Sequence, residues 1–257
     1  MAKEKSNLKN TKLKNTKLKN TKLKYKRVLL KLSGEVLAGG KDFGHDAKVF
    51  KFILSQINQA RDLGAEIALV IGGGNIVRGK QAKELEIEEI DAHYMGMLAT
   101  AINAIAFESY LNKNGVEAKA FSMLYLDNLI EKFSKQKAID SLSNGKVVLF
   151  ACGTGSPYFT TDTGASLKAI EIKADLLIKA TSVKGVYDKD PKKYDDAKFI
   201  EKISYNDILT KNLKFIDSTA VSMCRDNNMP LVVYNMKEDG GLVKILKGEK
   251  IGSLVEP

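Results

Sequence analysis

The sequence predicts an α/β protein with a mainly parallel central sheet sandwiched by helices. Three observations predict it. After residue 26, short β-branched or aliphatic runs alternate with longer amphipathic segments, the pattern of parallel strands joined by crossover helices. Several of those runs lead directly into glycine- and hydroxyl-rich stretches, where an open α/β sheet places its ligands. A chain of 257 residues, 44% of them hydrophobic, can bury one large core.

Taken in order, the chain opens on a lysine-rich arm, residues 1–24, in which one pentapeptide occurs three times between Leu8 and Lys22. A five-residue apolar spacing drifts around a helix instead of forming a stripe, and the lysines repel one another, so the arm is expected to be disordered. It also carries the charge. Residues 1–27 hold ten lysines and Arg27 against Glu4 alone, which accounts for the whole net charge of +10 and leaves 30 basic and 30 acidic residues in the body. A neutral body gives no argument for a nucleic-acid-binding domain; an arm that neutralises RNA phosphates is the competing reading of the lysines. No apolar run approaches the ~18 residues of a membrane span, and the N-terminus has no secretory apolar stretch, so a soluble, cytoplasmic protein is expected. Cys152 and Cys224 have neither disulfide nor zinc spacing and are expected to be small buried residues.

From residue 25 to 257 the sequence is expected to form a single domain. Strands are expected at Arg27–Leu32, Glu66–Ile71, Glu117–Phe121, Lys146–Ala151, Asp175–Lys179 and Leu231–Asn235. Between Val49 and Leu63 the apolar residues fall at helical spacing and Gly64 supplies a C-terminal stop. Met95–Leu111 is apolar on several faces, so it is either deeply buried or packed on another subunit.

Four loops after strands carry the chemistry. Lys31, Leu32, Ser33 and Gly34 end the first strand, and a lysine beside glycine there can act as a point charge on phosphate. After the second strand, three consecutive glycines, Gly72 to Gly74, cost backbone entropy that makes sense where main-chain N–H groups approach an anion. Gly74, Gly79 and Lys80 also approximate a Walker A loop, but Gln81 stands where the magnesium-binding hydroxyl is needed, and the chain has only four arginines. The third loop, Gly153, Thr154, Gly155, Ser156, Pro157, Tyr158, Phe159 and Thr160, combines glycines, hydroxyls, aromatic walls and a following helix N-terminus, as a nucleotide acceptor site requires. The fourth runs from Lys179 to Pro191, where Tyr187 can stack on a base and Asp188 and Asp190 can hold ribose hydroxyls or order water on magnesium.

In this order the loops resemble the amino acid kinase family, and within it the bacterial branch that phosphorylates UMP. The resemblance covers about residues 26–257, through the segments at Lys31–Glu35, Ile71–Arg78, Met95–Thr100, Gly153–Asp162, Lys179–Thr181 and Asp188–Pro191. It implies an amino acid kinase-like fold and transfer of the γ-phosphoryl group of ATP to UMP, giving UDP and ADP for pyrimidine nucleotide biosynthesis, with Mg2+ accompanying ATP and no direct protein ligand to the metal. Lys31, Leu32, Ser33, Gly34, Gly74 and Arg78 would face the ATP phosphates, with Thr181, Tyr187 and Asp190 around adenosine. Gly73, His93 and Gly153–Thr160 would hold UMP. Lys31, Lys179 and Arg78 would stabilise the transferring group, and Asp217 would orient a lysine. The family further implies a homohexamer of dimers, activation by GTP and inhibition by UTP; the segment Gly39, Gly40, Lys41, Asp42, Phe43 and Gly44 resembles its activation loop and reads equally as a surface loop.

Two positions depart from the branch. His93 stands where an aspartate that contacts the ribose is usual, so either His93 or Asp91 would take that contact; an imidazole accepts one hydrogen bond where a carboxylate accepts several. Ser156 stands where asparagine is usual. A nucleotide sensor without turnover is the alternative of another class, but it would be expected to have lost Lys31, Lys179 and Arg78, which are present.

Overall fold

The computed structural model describes residues 22–78, 82 and 84–256. The repeat-bearing arm therefore lies outside the described residues except for its last three, of which Lys24, with Tyr25 after it, donates its backbone N–H to Leu246 O. In chain order the elements are β1 (Arg27–Leu32), α1 (Gly34–Ala38), α2 (Ala47–Asp62), β2 (Glu66–Ile71), α3 (Glu89–Lys113), β3 (Ala118–Ser122), β4 (Glu131–Lys132), α4 (Lys135–Ser143), β5 (Val147–Ala151), α5 (Thr161–Glu171), β6 (Leu176–Thr181), β7 (Val186–Tyr187), β8 (Phe199–Ile200), β9 (Lys202–Ser204), α6 (Tyr205–Thr210), α7 (Ser218–Asp226), β10 (Leu231–Asn235), α8 (Gly241–Lys247) and β11 (Ser253–Glu256).

Nine strands form one sheet in the order β4-β3-β5-β2-β1-β6-β10-β11-β9, with every neighbouring pair parallel except β10–β11. β7 and β8 form a separate antiparallel pair. The expected mainly parallel sheet flanked by helices is present, and the six expected strands match β1, β2, β3, β5, β6 and β10 within two residues at each end. β5 is buried at all five positions and β2 at all but its first, as parallel strands covered on both faces require. The small strands β4, β7, β8, β9 and β11 were not expected; at two to four residues they are too short to show a period.

α2 starts where Asp46 Oδ1 accepts the N–H of Lys48 at 2.7 Å, and buries Phe50, Ile53, Ile57 and Ala60 along one stripe. Each of the larger three contributes about 2 kcal/mol by leaving water. α3 begins at Glu89, six residues earlier than the apolar stretch that announced it, with Glu89 and Asp91 complementing the dipole of its first turn. The helix has two faces. Met97, Ala101, Ala104, Phe107 and Leu111 are buried, whereas Ile90, Tyr94, Leu98, Ile102 and Ile105 form an exposed apolar row. α5 packs against α7 and the middle of the sheet, so the helix that follows the third loop sits directly under the ends of β1 and β6.

Candidate active site

β1 and β6 are adjacent and in register, with Lys31 opposite Lys179. Both side chains turn to one carboxylate, Asp162 in the first turn of α5. Lys31 Nζ lies 2.7 Å from Asp162 Oδ1, and Lys179 Nζ donates to Asp162 Oδ2. All three are largely buried, at 12–13% side-chain exposure. Burial opposes ionisation of Asp162, but the two ammonium groups outweigh it and hold its carboxyl below the usual carboxylate range. Burial pushes the Lys179 ammonium down, Asp162 pulls it back, and Lys31 adds to the depression. Two cations thus share one directly bonded anion, with the charge of Asp217 acting on Lys179 as well.

Asp217 was expected to orient a lysine. It is the N-cap of α7: Thr160 Oγ1 donates to its Oδ2 at 2.5 Å, and Thr163 Oγ1 and the N–H of Ala220 donate to its Oδ1, both at 2.8 Å, while its negative charge also favours the Lys179 ammonium. The carboxylate that holds the lysines is Asp162, and Asp217 fixes the start of the helix that carries it. The signal for Asp162 was the single acid following two threonines at a helix start. Its role could not be read without knowing that two strand-end lysines lie in register above it.

The glycines of the second loop are packed against their neighbours. A Cβ on Gly34 would meet Gly72 O at 2.3 Å, and one on Gly73 would meet the Ala99 Cβ at 2.7 Å and Gly96 O at 2.8 Å, so the loop fits between α1 and α3 only without side chains. A Cβ on Gly74 would meet Glu35 Cγ at 3.4 Å, an ordinary contact. Among the described residues the N–H groups of Gly73 and Gly74 have no acceptor, which leaves them to an anion. Leu32 is fully buried, and its carbonyl accepts the N–H of Gly72, so it can meet a ligand only through backbone. Ser33 is the N-cap of α1, and its side chain makes no cap bond. Arg78 is not gathered with the lysines: its Nη2 donates to Asp42 O at 2.8 Å. The segment Gly39–Gly44 is thereby tied to the second loop, also through Gly44 N to Asn75 O at 2.9 Å.

On one side of the lysines the acceptor loop leaves β5 through backbone turned left-handed at Cys152, Gly153, Gly155 and Tyr158. Thr154 and Ser156 bond each other, Tyr158 and Phe159 are exposed, and Thr160 caps α5 by accepting from Asp162 N and Thr163 N. Pro157 is half-buried between Ser156 and Tyr158. α3 brings His93 over this loop, its ring 5.1 Å from that of Tyr158, with Glu89 4.0 Å from its Nε2. On the other side a cleft of about 630 Å³ gathers Thr181, Tyr187 and Asp190 with Leu213 and Phe215. Tyr187 is edge-on to Phe199, and Asp190 Oδ1 accepts the N–H of Lys192. A second hollow of about 550 Å³ joins this region to Lys31, Thr160 and Asp162. The arrangement is a cleft on one side and an exposed loop on the other, each bearing aromatic side chains, with a pair of cations between them.

Residues 26–235 match the model of the amino acid kinase family. The chain is 46% identical over 232 residues to the uridylate kinase of Xanthomonas oryzae pv. oryzae, covering 90% of this chain and 97% of that protein. Its fold resembles that of UMP kinase from Bacillus anthracis, with a TM-score of 0.87 at 36% identity over 90% of this chain and 96% of that one. UMP kinase from Ureaplasma parvum gives a TM-score of 0.84 at 35% identity, covering 90% and 99%. The strand-end lysines, the glycine loop and the acceptor loop thus stand on a shared scaffold, and the chain belongs to the amino acid kinase family, in its uridylate kinase branch.

Proposed function

We propose that the chain transfers the γ-phosphoryl group of ATP to UMP, and that Lys31 and Lys179 neutralise the group in flight. The observation that carries this reading is the register pairing of the two lysines on one buried carboxylate, between an adenosine-sized cleft and the acceptor loop. Adenosine lies with Thr181, Tyr187 and Asp190, and its phosphates reach Lys31, Ser33, Gly34 and Gly74. UMP lies with Gly73, His93 and Gly153–Thr160. The acceptor phosphate has a second pKa of about 6, so at neutral pH it arrives as a nucleophilic dianion and needs no general base. What remains is in-line positioning and charge neutralisation. Asp162 keeps both ammonium groups in place before the nucleotides arrive, so little reorganisation is left for the reaction itself. Arg78 reaches the phosphates after releasing Asp42.

Among the described residues no group of three or more His, Cys, Asp or Glu side chains could hold a metal ion. Magnesium arrives on the ATP phosphates in this reading, a hard cation that keeps waters and phosphate oxygens as ligands and adds positive charge there. The exposed row on α3 packs on a second copy, and such dimers assemble into a hexamer in the cytoplasm. GTP as activator and UTP as inhibitor are proposed as effectors, with Gly39–Gly44 as the responsive segment. Among the described residues no helix is long and apolar enough to cross a membrane.

The test is a coupled assay of ADP release with ATP and magnesium against UMP, dUMP, CMP and carbamate in parallel. Turnover with UMP, and none with carbamate, is expected. No turnover with any acceptor would overturn the reading in favour of a nucleotide sensor.

A further inference from the structure

We propose that Asn103 is a positioning residue for phosphoryl transfer: from the buried face of α3 its amide sets the direction of the Gly72–Gly73 peptide and locks the Gly39–Gly44 segment to the same frame. The inference rests on the kinase reading above.

Asn103 has no exposed surface, and Asn75 is 1% exposed. A buried amide costs stability unless its donors and acceptors are used, and here they are. Asn103 Nδ2 donates to Gly72 O and to Asn75 Oδ1, both at 2.7 Å. Asn103 Oδ1 accepts from Asn75 Nδ2 at 3.0 Å and lies 2.7 Å from His45 Nε2. Because Gly72 O can only accept, the orientation of the Asn103 amide is fixed, and His45 carries its proton on Nε2. Asn75 Nδ2 also donates to Gly44 O at 2.9 Å.

This network pulls the Gly72 carbonyl toward α3. In a trans peptide the following N–H points the opposite way, so holding Gly72 O inward turns the N–H of Gly73 away from the network, where it has no acceptor among the described residues. A packing role alone would be met by an apolar side chain of equal size. The five bonds of the network join one peptide, at Gly72 O, to the neighbouring segment, at Gly44 O and His45, and so serve direction, which packing does not supply.

The test is a double-mutant cycle with Asn103→Leu, Asn75→Ala and the pair, reading kcat, KM for both nucleotides and melting temperature. Each single variant is expected to lower kcat at least tenfold, with each KM changed less than threefold. The pair is expected to cost no more than the worse single, because the two amides act as a unit. If Asn103→Leu does not fold, Asn75→Ala alone decides on the same kcat and KM criterion. A folded variant with kcat within twofold of the parent, or losses that multiply in the pair, would overturn the proposal. Absence of turnover in the parent protein would instead overturn the kinase reading, so the two failures are distinct.

Discussion

Lys31 and Lys179 face each other across the β1–β6 ladder, one on each side of a single parallel register. Their spacing is therefore set by backbone hydrogen bonds, and Asp162 below them fixes the direction of both side chains. In the proposed mechanism donor and acceptor phosphates converge on this pair.

Lys31→Ala removes one of the two cations and leaves Lys179 bonded to Asp162. Turnover is expected to fall at least ~100-fold, the scale of losing one preorganised stabilising group, with the circular dichroism spectrum unchanged. A near-normal rate would take Lys31 out of the mechanism.

Asp162→Asn leaves two ammonium groups largely buried without their shared anion, at an expected cost of about 3 kcal/mol. The pH dependence has a definite sign. The folded carboxyl sits below its ordinary value of 3.8, so its contribution is complete above about that pH and is lost as pH falls through the lower folded value. Urea midpoints of parent and variant should differ at pH 7 and converge below pH ~3.8. A gap that is unchanged on acidification would show that the charge on Asp162 is not what stabilises the parent.

His93 meets Tyr158 at the mouth of the acceptor loop. Replacing it by aspartate adds acceptor capacity toward a sugar hydroxyl, and His93→Asp is expected to raise the preference for UMP over dUMP about fivefold, near 1 kcal/mol for one added bond. The ratio of kcat/KM values measures it. An unchanged ratio would place the sugar away from residue 93.

The apolar row of α3 gives the fourth expectation. Ile102→Lys puts a charge in the middle of Leu98, Ile102 and Ile105, all exposed in the single chain. Sedimentation should show the assembly reduced to smaller species. An unchanged assembly would assign the contact to another surface.

What could be read from the sequence divides by range. β2 and β5 announce themselves because every position of β5 and every position of β2 after Glu66 is aliphatic or aromatic, and α2 because its apolar residues recur at helical spacing. Lys31 and Lys179 were legible as cations at strand ends. Their shared partner was not, since it depends on two strands far apart in sequence being neighbours in register. The same limit hid Asn103, which sits inside a helix as one polar residue among alanines and isoleucines and declares its role only through bonds to Gly72 and Asn75. The start of α3 was missed because its first turn is acidic and exposed, so the apolar pattern begins later than the helix.

The way β11 enters the sheet sets an order of assembly. β2, β3 and β5 come from residues 66–151, whereas β6, β10 and the small hairpin that carries Tyr187 come later in the chain. β11 then inserts between β10 and β9, where Ser253 Oγ accepts the N–H of Val186 and donates to Ile200 O, pinning both strands of the small hairpin that carries Tyr187. On a ribosome β2, β3 and β5 can dock before β6 and β10 have been made. The hairpin that carries Tyr187 is therefore pinned only when β11, at the far end of the described residues, is in place, so the last strand of the chain completes a cleft begun much earlier.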